Sequence, residues 1–284
     1  MAESKSKVQH DEGLFKTNDG LILFEQSWQP TKETKAVIVI IHGLAEHSGR
    51  YKHVVEYLLN HDYAVETFDL RSHGQSEGKN TYIRSFDEFL DDLDLFLKRV
   101  GERHHGKNIL LLGHSMGGTI AVLFVISRKT DLKGIILSGA TLKISDEISP
   151  FLVRISSILG KLVPKLPTIK VDCNAISRDP EVVKKYDNDP LVYRGGILAR
   201  TGAEFNRAIK LIQKQMEFVT VPLLILSGAA DRLSDPEGSR QLYERAQSND
   251  KALKLYEEFY HEILNEPEKE KVLADIVDWL DGHV

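Results

Sequence analysis

Short aliphatic runs recur along the chain at Val37–Ile41, Ala64–Phe68, Ile109–Leu112, Gly134–Leu137 and Leu223–Leu226. Each is four to five residues, mostly aliphatic, and continuous rather than alternating apolarity predicts strands covered on both faces, as in a parallel sheet. Between them lie stretches with helical spacing. Ser85–Val100 has apolar residues at Phe86, Phe89, Leu90, Leu93, Phe96, Leu97 and Val100, one face of a 3.6-residue period. Gly238–Ala246 and Glu268–Leu280 read the same way. Strand alternating with helix predicts an α/β sheet with right-handed crossovers.

Near the N-terminus, Leu14–Lys16 and Leu21–Trp28 flank Asn18-Asp19-Gly20, a turn of the kind hairpins use. An antiparallel hairpin on one sheet edge is expected, with Leu253–Tyr256 as a late strand and about eight strands in all. From about Lys143 to Asn206 the alternation stops, and no convincing strand appears between Leu137 and Leu223. A gap this long is not expected to be bare loop. The expected organisation is a core of residues 1–142 and 207–284 carrying a helical cap insertion, residues 143–206.

The length of 284 residues supports a sizeable core without disulfides or metal. Apolar residues make up 42% and charged residues 28%, an ordinary globular composition. The net charge of −5 argues against nucleic acid as a partner. A single cysteine, Cys173, excludes an internal disulfide and a C-x-x-C metal site. Residues 1–13 are polar, without a signal-peptide core, and no apolar stretch approaches a membrane span. A cytoplasmic protein is expected, with membrane-surface contact left open.

Ile109–Leu112 runs into Gly113-His114-Ser115-Met116-Gly117-Gly118, followed by helix-like Thr119–Ser127. A serine on a sharp strand-to-helix turn has a strained backbone, and the close packing around it demands glycine two residues to either side. Serine needs a base and an orienting acid to become a nucleophile. In this architecture they follow in the order serine, acid, histidine. Asp231 lies in the loop after the Pro222–Leu226 strand, and His261 follows the Leu253–Tyr256 strand. Asp235 is the rival acid, but Ser234-Asp235-Pro236 reads as a helix cap. His283, the other histidine after the acid, is penultimate and expected to be solvent-exposed. His42, His73 and His114 precede the acid and read as turn hydrogen-bonding residues.

Two backbone amides should hold the oxyanion. One belongs to Met116, after the nucleophile, and the second is expected from the His42-Gly43-Leu44 loop, at Leu44. Ser115, Asp231 and His261 then define an acyl-transfer site that needs neither cofactor nor metal.

The strings His42-Gly43-x-x-Glu46-His47-Ser48-Gly49-Arg50-Tyr51, Asp69-x-x-x-His73-Gly74-x-Ser76-x-Gly78, Gly113–Gly118, Asp187-x-Asp189-Pro190-Leu191 and Ala230-Asp231-Arg232-Leu233 resemble the monoacylglycerol lipase family of serine α/β-hydrolases. The likeness runs from about Thr17 to Leu280. It implies the α/β-hydrolase fold, the same triad, and a lipid ester substrate cleaved to fatty acid and glycerol. It also implies a polar head-group end at Glu46, Arg50 and Tyr186, and His114 is counted with these substrate-binding residues. Mammalian members carry a glycerol-binding histidine three residues after the catalytic one, where this chain has Leu264. Their cysteine near the catalytic acid corresponds here to Ser234. Lysophospholipase, general carboxylesterase and non-enzymatic ligand receptor are the alternative readings.

In residues 143–170 the apolar positions fall on one helical side, among them Ile148, Phe151, Leu152, Ile155 and Leu159. Five basic and two acidic residues give the segment +3, against −5 for the chain. A basic margin around an apolar face suits a lid that touches a membrane surface. A helix packed on the core is the other reading of the same pattern. Nothing in the sequence sets the oligomeric state.

Overall fold

The structure is a computed structural model that describes residues 8–143 and 158–284. Eight strands form one sheet in the order β1-β2-β4-β3-β5-β6-β7-β8. They are β1 (Gln9–Lys16), β2 (Ile22–Gln29), β3 (Val37–Ile41), β4 (Ala64–Phe68), β5 (Ile109–His114), β6 (Gly134–Ser138), β7 (Leu223–Gly228) and β8 (Lys251–Tyr256). The β1–β2 and β2–β4 pairs are antiparallel, and every later pair is parallel. The expected α/β fold with a mostly parallel eight-stranded sheet is what the chain forms.

The helices are α1 (Lys52–Leu59), α2 (Asp87–Arg103), α3 (Met116–Ser127), α4 (Pro180–Asn188), α5 (Ala199–Gln215), α6 (Pro236–Arg245) and α7 (Lys269–Asp281). Side chains alternate across a strand, so each central strand feeds two cores. Val37, Val39 and Ile41 join Leu111, Leu137 and Ile225 beneath α2, α3 and α5. Ile38 and Ile40 join Leu110, Leu112 and Leu224 against α1 and α7. Two-sided burial is the reason most of these strands read as aliphatic runs, while β4 buries Glu66 and Thr67, bonded to Arg103, His104 and the Ile40 carbonyl. The helix α3 is apolar all round because it lies between the sheet and other helices, and residues 116–124 are all buried.

Two elements depart from the hydrophobic pattern. Strand β1 begins at Gln9 rather than near Leu14. As an edge strand it has one neighbour and an exposed first half, so backbone pairing of Gln9 with Gln29 defines it where apolar burial does not. Helix α1 is absent from the strand–helix alternation read above. It packs Val54, Val55, Leu58 and Leu59 into the second core.

The insertion contributes a helical stretch at 158–162, the helix α4 and an isolated bridge between Pro167 and Leu198. A boundary after residue 206 cuts α5, which runs unbroken through that position and buries Ala208 and Ile212 in the first core. Among the described residues, no helix is long and apolar enough to cross a membrane.

Candidate active site

The carboxyl ends of the central parallel strands carry the site. Strand β5 delivers Ser115 to a turn with φ 53° and ψ −117°, a backbone region that costs energy for any residue with a side chain. The turn is held on several sides. The Ser115 amide donates to the Ser138 carbonyl at 3.0 Å, and the Ser115 carbonyl accepts from Gly118 and Thr119. A Cβ on Gly113 meets the Gly117 carbonyl at 2.5 Å, and one on Gly117 meets the Ile41 carbonyl at 2.1 Å. Neither position has room for a side chain, which is the packing reason for the G-x-S-x-G spacing.

Asp231 and His261 reach the serine from β7 and β8. The His261 Nδ1 bonds Asp231 Oδ2 at 2.8 Å, and its Nε2 lies 2.8 Å from Ser115 Oγ. The second carboxylate oxygen of Asp231 accepts from the Leu233 and Ser234 amides at 2.8 and 2.9 Å. With Nδ1–H committed to the carboxylate, the lone pair of Nε2 faces the serine hydroxyl. Burial works against the charged imidazolium of His261, but the Asp231 carboxylate outweighs it and raises the pKa above 6.5. Asp235 instead caps α6, accepting from the Glu237 amide, as its sequence setting predicts.

The loop after β3 passes beside the serine, close enough that a Cβ on Gly43 meets Ser115 Cβ at 3.2 Å. Ala45 in this loop has φ 68°, a strained value for alanine. The Glu46 carboxylate accepting from the Gly43 amide at 2.6 Å, and the Ala45 carbonyl accepting from the Tyr193 amide at 2.8 Å, hold it there. Leu44 lines the cavity, while the Met116 side chain is buried in the first core and its amide opens α3. The first amides of a helix have no partner within it and suit an anion.

A cavity of about 410 Å³ lies over the serine. Leu44, Ile176, Phe205, Ile209 and Leu233 are among its apolar walls. Glu46, His114, Tyr186 and Glu262 mark its polar end. Burial opposes ionisation of Glu46, yet the Arg50 charge beside it brings the carboxyl down to about 2. Burial also keeps the His114 imidazole below its ordinary range, and its Nδ1 bonds the Ser138 carbonyl at 2.8 Å. Burial and the Glu46 charge push the Tyr186 phenol up.

Arg50 sits behind this wall rather than in it. Its guanidinium donates to Glu262 through both terminal nitrogens at 2.7 Å each, donates to Glu46, and lies 4.7 Å from the centre of the Tyr186 ring. Three of its five N–H groups are committed to Glu46 and Glu262, and of the Arg50–Glu46 pair it is Glu46 that lines the cavity.

Two further features lay outside the sequence reading. Glu262, next to the catalytic histidine, supplies the second carboxylate of the polar end, and that adjacency is the one signal that pointed to it. Thr141 places its hydroxyl 3.3 Å from Ser115 Oγ and 2.7 Å from Ser234 Oγ. Nothing in the local pattern announces Thr141, because only the return of the chain from β6 brings it to the serine. Leu264, at the position of the mammalian glycerol histidine, is buried in the second core and does not line the cavity. His283 is not free in solvent as expected: it stacks on Trp279 and bonds Asp250. Of the cap contacts expected, Leu159 is half-buried, and Ile148, Phe151, Leu152 and Ile155 lie outside the described residues.

A family model described as serine aminopeptidase, S33, matches residues 32–268. A monoacylglycerol lipase of Mycolicibacterium smegmatis is 36% identical over 265 residues, covering 93% of this chain and 95% of that protein. A monoglyceride lipase of Homo sapiens is 36% identical over 249 residues, covering 87% of this chain and 82% of that protein. The crystal structure of Paleococcus ferrophilus monoacylglycerol lipase superposes with a TM-score of 0.82 at 30% identity, over 98% of this chain and 100% of that one. With fold, triad geometry and relatives in agreement along almost the whole length, this chain belongs to the monoacylglycerol lipase family of α/β-hydrolases.

Proposed function

We propose that the chain hydrolyses monoacylglycerols to a fatty acid and glycerol through an acyl-Ser115 intermediate. The carrying observation is the aligned Ser115–His261–Asp231 row beneath a cavity with apolar walls and one polar end. An acyl chain fits the apolar walls, and a glycerol hydroxyl suits the carboxylate end.

The His261 Nε2 takes the Ser115 proton as Oγ attacks the ester carbonyl. The Leu44 and Met116 amides receive the oxyanion. Collapse expels glycerol, whose alkoxide oxygen takes the proton from His261. Water, deprotonated by the same imidazole, attacks the acyl-enzyme, and as the acyl–Oγ bond breaks and the fatty acid leaves, His261 returns that proton to Ser115. Asp231 keeps the ring oriented and balances its transient charge. Residues 143–206 act as the cap through which the chain of the substrate enters.

The cap also serves as a membrane-surface contact in this reading. Ile158, Leu162, Val163, Leu166 and Ile169 are exposed, with Leu162 at 76%, and Lys161 and Lys165 stand among them. Exposed aliphatic side chains bordered by lysine suit an anionic lipid interface.

The test is a substrate panel on the purified chain. It spans monoacylglycerols of graded chain length, di- and triacylglycerols, lysophosphatidylcholine and an aryl ester. Monoacylglycerols should give the highest kcat/KM, and S115A should abolish both hydrolysis and labelling by a fluorophosphonate. Activity retained in S115A refutes the mechanism. A panel led by lysophosphatidylcholine or by the aryl ester moves the assignment to a lysophospholipase or a general carboxylesterase.

A further inference from the structure

We infer that Glu262 determines the head-group specificity of this site, admitting neutral polyol esters and rejecting those that carry a phosphate. The inference rests on the monoacylglycerol reading above and refines it.

The polar end of the cavity holds two carboxylates and one guanidinium. Glu46 and Glu262 line the space, while Arg50 does not. Glu262 engages Arg50 with both oxygens at 2.7 Å, in the fork-to-fork arrangement of a bidentate arginine–carboxylate pair. Glu46 takes a further Arg50 donor, and the Tyr186 ring covers a guanidinium face. Glu46 also accepts from the Gly43 amide and the Tyr51 hydroxyl, and Glu262 from the Asn265 side-chain amide, all neutral donors, so two carboxylates against one guanidinium leave this end with one negative charge in excess.

Such a surface discriminates by chemistry. A glycerol hydroxyl donates its proton to a carboxylate oxygen. A phosphate monoester puts a charge of about −1.5 to −2 in place of one such hydroxyl, and both terminal nitrogens of Arg50 already bond carboxylates. The remaining neighbours do not reverse the sign. His114 is held in its neutral form by burial. Lys170, Asp172 and Arg232 also line the opening, but all three are exposed. Charges in that position are screened over roughly 8 Å at physiological salt, whereas a buried pair is screened much less.

The experiment compares kcat/KM for 1-oleoylglycerol and 1-oleoylglycerol 3-phosphate, following released oleate, in the wild-type chain and in Glu262→Gln. The two substrates share the ester and the acyl chain, so their ratio divides out any common loss at the neighbouring His261. The wild type should prefer the neutral ester. In E262Q, which removes the charge and misaligns one Arg50 contact, the preference should narrow by at least about tenfold, the scale of one partly buried charge interaction. An unchanged ratio in a folded E262Q overturns the inference.

A second measurement needs no variant. Raising the salt to about 0.5 M, where the screening length falls to a few ångströms, should leave most of the wild-type preference in place. Collapse of the preference assigns it to the exposed rim charges and also overturns the inference, as does equal hydrolysis of the two esters by the wild type. Failure of the wild type to cleave 1-oleoylglycerol at all defeats the monoacylglycerol reading instead.

Discussion

His261 couples the chemistry of the site to pH. Burial disfavours its charged form most strongly of any single influence, but Asp231, with Glu262 and Glu46 behind it, more than offsets this, and the folded-state pKa lies above 6.5. The base must be neutral to take the serine proton, so activity is lost as pH falls through that raised value. The acidic limb of the kcat/KM profile should have its midpoint above 6.5, and a midpoint at or below that value contradicts the assignment of His261 as base. At this scale the sequence was most informative. Ser115, Asp231 and His261 were legible because their chemistry requires a fixed chain order and a place at strand ends. Thr141 and Glu262 were not, since a hydroxyl or carboxylate has no recognisable spacing of its own. Arg50 shows the converse. It was expected to face the head group, yet both its terminal nitrogens bond carboxylates and it does not line the cavity.

Among the elements, the β3–β5–α3 unit does most to build the site. Helix α3 approaches β3 so closely that a Cβ on Gly117 meets the Ile41 carbonyl at 2.1 Å. Gly117→Ala must push the helix off the sheet, because the obstacle is backbone and cannot rotate away. The cost should be about 1–3 kcal/mol or more of stability, read as a lower midpoint in thermal unfolding. The same shift displaces the Met116 amide, so kcat should fall by more than KM changes. A variant with wild-type melting and kcat shows that the unit tolerates the displacement. Elements buried on two sides were predictable from their unbroken apolar runs. The edge strand β1 and the helix α1 were harder to see, because pairing and a single buried stripe define them.

At the scale of the whole molecule, the segment between β6 and β7 meets the sheet that carries the serine, and in the proposed function that segment has the role of a cap. Cap and core meet at the catalytic loops. The Tyr193 amide donates to the Ala45 carbonyl in the oxyanion loop, and the Glu262 amide donates to the Ile176 carbonyl beside the catalytic histidine. His47 and Asp189 add a 2.9 Å contact between the same units. On the outer surface of the cap, Leu162 and Ile158 are exposed beside Lys161 and Lys165. Replacing both aliphatic residues with aspartate should weaken binding to vesicles containing anionic lipid by at least about tenfold, since each loses apolar transfer energy and gains repulsion. Hydrolysis of a soluble short-chain ester should be spared. Unchanged vesicle binding removes the membrane contact from the proposal.

The amino-acid sequence alone determined the sheet, the chain order of Ser115, Asp231 and His261, and the long interval between β6 and β7. Those properties are written locally, in apolar runs, in glycines beside a serine and in the interruption of an alternating pattern. Tertiary structure decided the rest. It placed Thr141 against the nucleophile, buried Leu264 away from the cavity, and set Glu262 opposite Glu46 around one arginine. Each of these depends on contacts between positions far apart in the chain: 212 residues separate Arg50 from Glu262. Such distances leave no trace in local periodicity, and only packing brings the groups together.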